Sequence, residues 1–283
     1  MKLSVSMWSV VTAVRDGRID LPGFIEFVAR QQENGAEGIE LLDYFWRDVD
    51  AELPAIKQQF TDAGLALAAY SIGNDFFQPD RAVWQQQLDS MKRGIDVAVQ
   101  LGANTLRVFS GNATPGYSLD DGLSWIIDGL AAGAEYASAN GITLALENHG
   151  LMAGRSDQIR SIIETVGSPA LRANLDTGNF LLVNQNPTDA VRELVDLAAL
   201  VHLKDFRQAR PDETEHVYTG LDGTRFAGTV TGEGEVDLPA IIAMLAVAGY
   251  DGWLSLEFEG AQDPLTIGVP HSLKAARALL QDD

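Results

Sequence analysis

Six times along this chain, a stretch with helical spacing ends on a glycine, and a short apolar run follows within a few residues. The glycines are Gly35, Gly64, Gly102, Gly141, Gly167 and Gly249. Glycine just past a helix end is the usual left-handed cap. A short apolar run reads as a strand buried on both faces, as in parallel sheets sheathed by helices. Repetition of helix, glycine and strand therefore points to a β/α architecture, although no sequence repeat is visible. Strands are expected at residues 3–8, 38–42, 65–71, 105–109, 142–147, 171–176, 200–205 and 253–258. The first helix is expected to open at Asp20 with Pro22 in its first turn, and the last to cover residues 272–280. Eight alternations make a (β/α)8 barrel, one domain over residues 1–283, and such barrels typically need about 250 residues. The longest irregular region, residues 206–235 after strand seven, is polar and carries Phe206, Tyr218 and Phe226; so long a loop in a compact domain is more often functional than accidental.

Charge narrows the function. The chain has 20 Lys and Arg against 40 Asp and Glu, a formal charge of −20. That field repels phosphate backbones and anionic membrane surfaces, so neither nucleic acid nor membrane is an expected partner. Small neutral ligands and divalent cations carry no such penalty. The absence of cysteine removes disulfides, thiolate metal sites and a cysteine nucleophile, and agrees with a cytoplasmic protein. No run reaches the roughly 18 apolar residues of a membrane span. Residues 3–14 resemble a signal-peptide core, but only Lys2 precedes them and no small-x-small cleavage site follows, so a first barrel strand is preferred. A homo-oligomer is compatible with the composition.

Four of the expected strands carry a carboxylate or imidazole near their C-terminal ends, where the chemistry of barrels sits. Strand five ends on Glu147, strand six on Asp176 and strand eight on Glu257, and strand seven carries His202. Carboxylate oxygens with one imidazole and no sulfur suit Mn²⁺, Mg²⁺, Co²⁺ or Zn²⁺.

The segments Leu146-Glu147-Asn148, Asn174-Leu175-Asp176-Thr177-Gly178-Asn179, Val201-His202-Leu203-Lys204-Asp205, Gly232-Glu233-Gly234-Glu235-Val236-Asp237 and Leu256-Glu257 together resemble the sugar phosphate isomerase/epimerase group. That group belongs to the xylose isomerase-like barrel superfamily, which also holds endonuclease IV-like enzymes. The resemblance runs from Gly38-Ile39-Glu40-Leu41 to the last strand. It implies that Glu147, Asp176, His202 and Glu257 bind one divalent metal ion, and that Glu147 and Glu257 are the acid/base pair of an isomerase or epimerase. In such an enzyme the metal polarises a carbonyl and an adjacent hydroxyl and stabilises an enediolate. Relatives often have histidine three residues after the aspartate, where this chain has Asn179.

The expected substrate is a small ketose, keto-cyclitol or related polyol. His149, Asn179, Lys204, Arg207, Arg107 and Trp8 are candidate substrate contacts. Arg107 and Glu40 could equally form a buried ion pair, and Trp46, Tyr70 and Phe76 are better explained by packing. Three other functions compete. A dehydratase of inosose or dehydroshikimate type would use the same metal and base but expel a hydroxyl. A phosphodiester hydrolase of the endonuclease IV kind needs more histidines than the four present. A non-enzymatic sugar-binding barrel would bind without turnover. Gly232-Glu233-Gly234 lacks the Lys-Ser/Thr of a phosphate loop.

Overall fold

The computed structural model describes residues 1–281. Its strands, in chain order, are β1 (Lys2–Ser6), β2 (Gly38–Leu42), β3 (Ala66–Ser71), β4 (Thr105–Val108), β5 (Thr143–Glu147), β6 (Leu171–Asp176), β7 (Ala198–Leu203), β8 (Phe206–Gln208), β9 (Val217–Thr219), β10 (Arg225–Gly228) and β11 (Trp253–Leu256). Strands β1–β7 and β11 form a closed parallel barrel, with β1 pairing β11 so that no edge is left open. Helices alternate with the barrel strands, and the six expected glycines all have positive φ, from 65° at Gly167 to 105° at Gly35.

Local chemistry explains the helix starts. Asp20 caps the helix Leu21–Arg30 by accepting from the Gly23 amide at 3.0 Å, a contact worth about 1 kcal/mol. Pro22 sits in the first turn, where the missing N–H is harmless, and Phe24, Phe27 and Val28 are buried toward the barrel.

Some boundaries differ from expectation. The first strand stops at Ser6, because the Ser6 side chain accepts from the Trp8 amide and starts a 3₁₀ turn over Met7–Val10. Trp8 therefore belongs to the turn at the barrel mouth. Strand β7 begins at Ala198, earlier than expected, and the last helix, Val269–Leu279, starts three residues early after a wide turn at Pro264–Gly268. The long loop is also not irregular: β8, β10 and β9 form an antiparallel sheet, a flap over the mouth.

The barrel interior is lined by small side chains. Ala69, Ala145 and Leu200 form its apolar cluster, and Ser4, Ser6, Ser71 and Ser255 are buried around them. This leaves room for Glu40, Arg107 and His202 inside the barrel, all buried. The register slips at Ile39/Glu40 and again at Ala173/Asn174. Such irregularities re-aim side chains near active sites, and here they flank Glu40 and the approach to Asp176.

Candidate metal centre

Glu147, Asp176, His202 and Glu257 come together at the C-terminal mouth, buried, with one potential ligand atom of each lying within 4.8 Å of the others. His202 Nδ1 faces three carboxylate oxygens, at 3.6 Å from Glu147, 3.6 Å from Glu257 and 3.9 Å from Asp176. That buried nitrogen has no hydrogen-bond partner. Such spacings suit ligands about 2.0–2.2 Å from a shared cation, so the donor set fits a divalent ion.

Surrounding groups hold these ligands in place. His202 Nε2 lies 3.1 Å from Glu40 Oε2, which fixes the ring and leaves Nδ1 facing the cluster. Glu40 in turn accepts from Ser71 Oγ and Ser255 Oγ, each at 2.6 Å. Burial pushes Glu40 up, but His202 more than offsets it and its pKa is lowered. One Asp176 oxygen accepts the Gly178 and Asn179 amides at 2.9 Å each, leaving Oδ2 to face His202 and Lys204. Asn148 clamps the same strand end, accepting from the Asp176 amide at 2.7 Å and donating to its carbonyl at 2.9 Å.

The two glutamates have opposite electrostatic surroundings. Burial raises Glu147 to about 7, against the pull of Arg107, whose Nε is 3.2 Å away, and of His202. Burial also opposes ionisation of Glu257, but Lys204 and His202 outweigh it and hold its carboxyl well below the usual range. Lys204 Nζ sits 2.6 Å from Glu257, 2.8 Å from Asp176 and 3.3 Å from Glu259. Burial alone would lower Lys204, and these carboxylates reverse that, raising it well above its ordinary value.

Above this floor lies a cavity of about 600 Å³, lined among others by Trp8, Arg107, His149, Asn179 and Lys204. Asn179 donates to Glu147 at 3.3 Å, and the His149 ring lies against Phe109 with centroids 4.9 Å apart. Arg107 pairs with Glu147 rather than Glu40, donates to the Ile72 carbonyl and lies over the Phe109 ring. Arg207, expected to enter the site, is turned away. It forms a two-pronged pair with Glu213 inside the flap, at 2.5 and 2.9 Å. Tyr70 and Phe76 are buried in the core.

Sequence reasoning passed over Glu259, which lines the cavity and accepts from Trp8 Nε1 at 2.8 Å. Its spacing of two from Glu257 was the available signal, since alternate residues of an extended segment share a face. Asp43 and Tyr44, just beyond β2, also line the cavity, as does Tyr218 from the flap.

The Gly232–Gly234 segment does bind an anion with its backbone, but the anion is internal. Asp205 accepts from the amides of Gly232 and Gly234 at 2.9 Å each and of Val236 at 3.2 Å. Gly232 has φ of +87°, and a Cβ on Gly234 would lie 2.1 Å from Asp205 Oδ1, so both positions need glycine.

The molecule is thus a parallel (β/α)8 barrel with a buried carboxylate–imidazole cluster at its C-terminal mouth, a donor set that could hold a metal ion. The chain belongs to the xylose isomerase-like TIM barrel family, whose model matches residues 28–281. An inosose dehydratase of Clostridium botulinum is 28% identical over 142 residues, 49% of this chain and 47% of that protein. A 3-dehydroshikimate dehydratase of Pseudomonas putida is 26% identical over 242 residues, 84% of this chain and 36% of that protein. The chain thus spans about half or less of the length of these relatives. Among solved structures, an L-ribulose 3-epimerase superposes with a TM-score of 0.77 at 19% identity, over 100% of this chain and 95% of that one. The IOLI protein with a bound zinc atom gives 0.76 at 16% identity, over 100% and 97%. At these identities the structural likeness shows the fold. Among the described residues, no helix is long and apolar enough to cross a membrane.

Proposed function

We propose that this chain is a divalent-metal-dependent enzyme acting on a polyhydroxylated ketone, and that its reaction is loss of water. The observation that carries this reading is the contact of Lys204 Nζ with Glu257 at 2.6 Å on the cavity floor. Elimination next to a carbonyl needs a base for the carbon-bound proton and an acid for the departing hydroxyl, and this pair offers both. The kinship with two dehydratases supports the same choice.

Glu147, Asp176, His202 and Glu257 would hold the ion, which supplies Lewis-acid polarisation of substrate oxygen. Glu257, kept ionised by Lys204 and His202, takes the proton from the carbon beside the carbonyl. Lys204 gives a proton to the hydroxyl on the next carbon. The C–H and C–O bonds break, a C=C bond forms, and water departs. The proton on Glu257 then passes to Lys204, restoring both groups. Arg107 and Asn179 hold Glu147 in place across the site.

Isomerisation or epimerisation is the second reading, supported by the placement of Glu147 and Glu257 on different strand ends around His202. Two carboxylates can serve opposite faces of one carbon. Incubating the Mn²⁺-loaded protein with inososes, dehydroshikimate and ketoses separates the two by product mass. A product lighter by one water is expected; a product of unchanged mass from every substrate consumed would overturn dehydration in favour of epimerisation.

A further inference from the structure

Charge on the cavity floor carries the reading further, and this step rests on the function just proposed. Among the described residues, Arg107 and Lys204 are the Lys and Arg side chains lining the cavity, and both are already committed. Lys204 contacts the carboxylates of Asp176, Glu257 and Glu259, and Arg107 contacts that of Glu147. The four carboxylates outnumber the two cations, one divalent ion would offset that excess, and Glu40, buried behind His202, adds a further carboxylate. No surplus positive charge is left for an anionic substituent. Asp43, at the rim, adds a further negative charge.

Glu259 is the residue that tips this balance. Of the four carboxylates it alone lies outside the cluster of potential metal ligands. Its side chain is 11% exposed, so it keeps a surface toward the cavity. It is held from two sides, by Trp8 Nε1 at 2.8 Å and by Lys204 at 3.3 Å, and Tyr218 lines the cavity with it. A carboxylate fixed between two aromatic walls is an acceptor for substrate hydroxyls and a repellent for a substrate carboxylate or phosphate.

We infer that Glu259 is a specificity-determining residue that selects uncharged polyhydroxy ketones and rejects those bearing a carboxylate or phosphate. The two dehydratase relatives differ in this respect: an inosose is an uncharged ring, whereas 3-dehydroshikimate carries a carboxylate. On this inference the chain falls with the uncharged class.

The test measures binding apart from turnover. Stopped-flow tryptophan fluorescence of the Mn²⁺-loaded protein, with Trp8 in the cavity wall, reads the affinities for an inosose and for 3-dehydroshikimate before chemistry proceeds. Wild type is expected to prefer the inosose. In Glu259→Gln the preference should shrink by roughly tenfold, the effect of removing one charge from a partly buried site. Glu259→Asp keeps the charge and should retain most of the preference, separating charge from packing. Stronger binding of 3-dehydroshikimate by wild type, or an unchanged preference in Glu259→Gln, would overturn the inference. Selective binding without a product lighter by water would instead sink the proposed reaction and leave the selectivity standing.

Discussion

Replacing Glu40 by glutamine should weaken metal binding although Glu40 is not itself among the clustered ligands. Its carboxylate is the partner of His202 Nε2, at 3.1 and 3.2 Å from its two oxygens, and it also accepts from Ser71 and Ser255. A hydrogen bond to a charged acceptor is worth about 1.5–3 kcal/mol and one to a neutral amide about 1. The difference, about 0.5–2 kcal/mol, comes out of the basicity and fixed orientation that His202 brings to a cation. Its upper part overlaps the 10- to 100-fold loss of affinity typical of such outer-shell changes, about 1.4–2.8 kcal/mol. The fold should survive, because a serine hydroxyl facing the new amide nitrogen can rotate from donor to acceptor. Glu40→Ala would be uninformative, since it strands three donors inside the barrel at about 1–3 kcal/mol each. The assay is competition for Mn²⁺ and Zn²⁺ against a chromophoric chelator, with thermal unfolding in excess chelator as the folding control. A well-folded Glu40→Gln protein whose affinity stays within twofold of wild type would refute the reasoning.

His202→Ala and Asp176→Ala should each abolish stoichiometric binding of about one divalent ion per chain; full occupancy by elemental analysis in both would contradict the assigned centre. Glu147→Gln and Glu257→Gln should each lower turnover by roughly 10²–10⁴-fold. A substrate deuterated at the carbon beside the carbonyl should lose that label to solvent on turnover in H₂O, and full retention of the deuterium at that carbon in the product would exclude proton abstraction there. Asp205→Ala removes the acceptor of three backbone amides, so hydrogen exchange at Gly232, Gly234 and Val236 should accelerate, and unchanged protection would argue against the anchor. Shortening the flap between Gln208 and Arg225 should lower turnover more than metal affinity, and equal turnover would assign the flap no part in the reaction.

The barrel was legible because its signals are local: a capping glycine and an apolar run need only a few neighbouring residues. The strand ends that carry Glu147, Asp176, His202 and Glu257 were legible for the same reason, as charge breaking an apolar run. What joins Glu40 to His202 was not, since the two lie 162 residues apart and meet only across the closed barrel. The flap strands are three or four residues long, too short for alternation to stand out against a polar background. Arg207 looked like a site residue because it follows β7, but its partner Glu213 lies six residues on, around a turn whose path no periodicity revealed. Glu259 needed one further step, extending the alternation of the last strand past its end.

The Asp205 anchor has a consequence for how this protein could be re-engineered. Asp205 follows Lys204 directly, its carbonyl accepts the Thr229 amide at 3.1 Å, and its carboxylate holds the chain again at Gly232, Gly234 and Val236. Departure and return of the excursion are thus fastened to one residue at the root. Between the fastenings the chain can lengthen, shorten or be exchanged at a cost that grows only slowly with its length. A foreign segment spliced between Gln208 and Arg225 would inherit a ready-made hinge post, with Lys204 left where it stands.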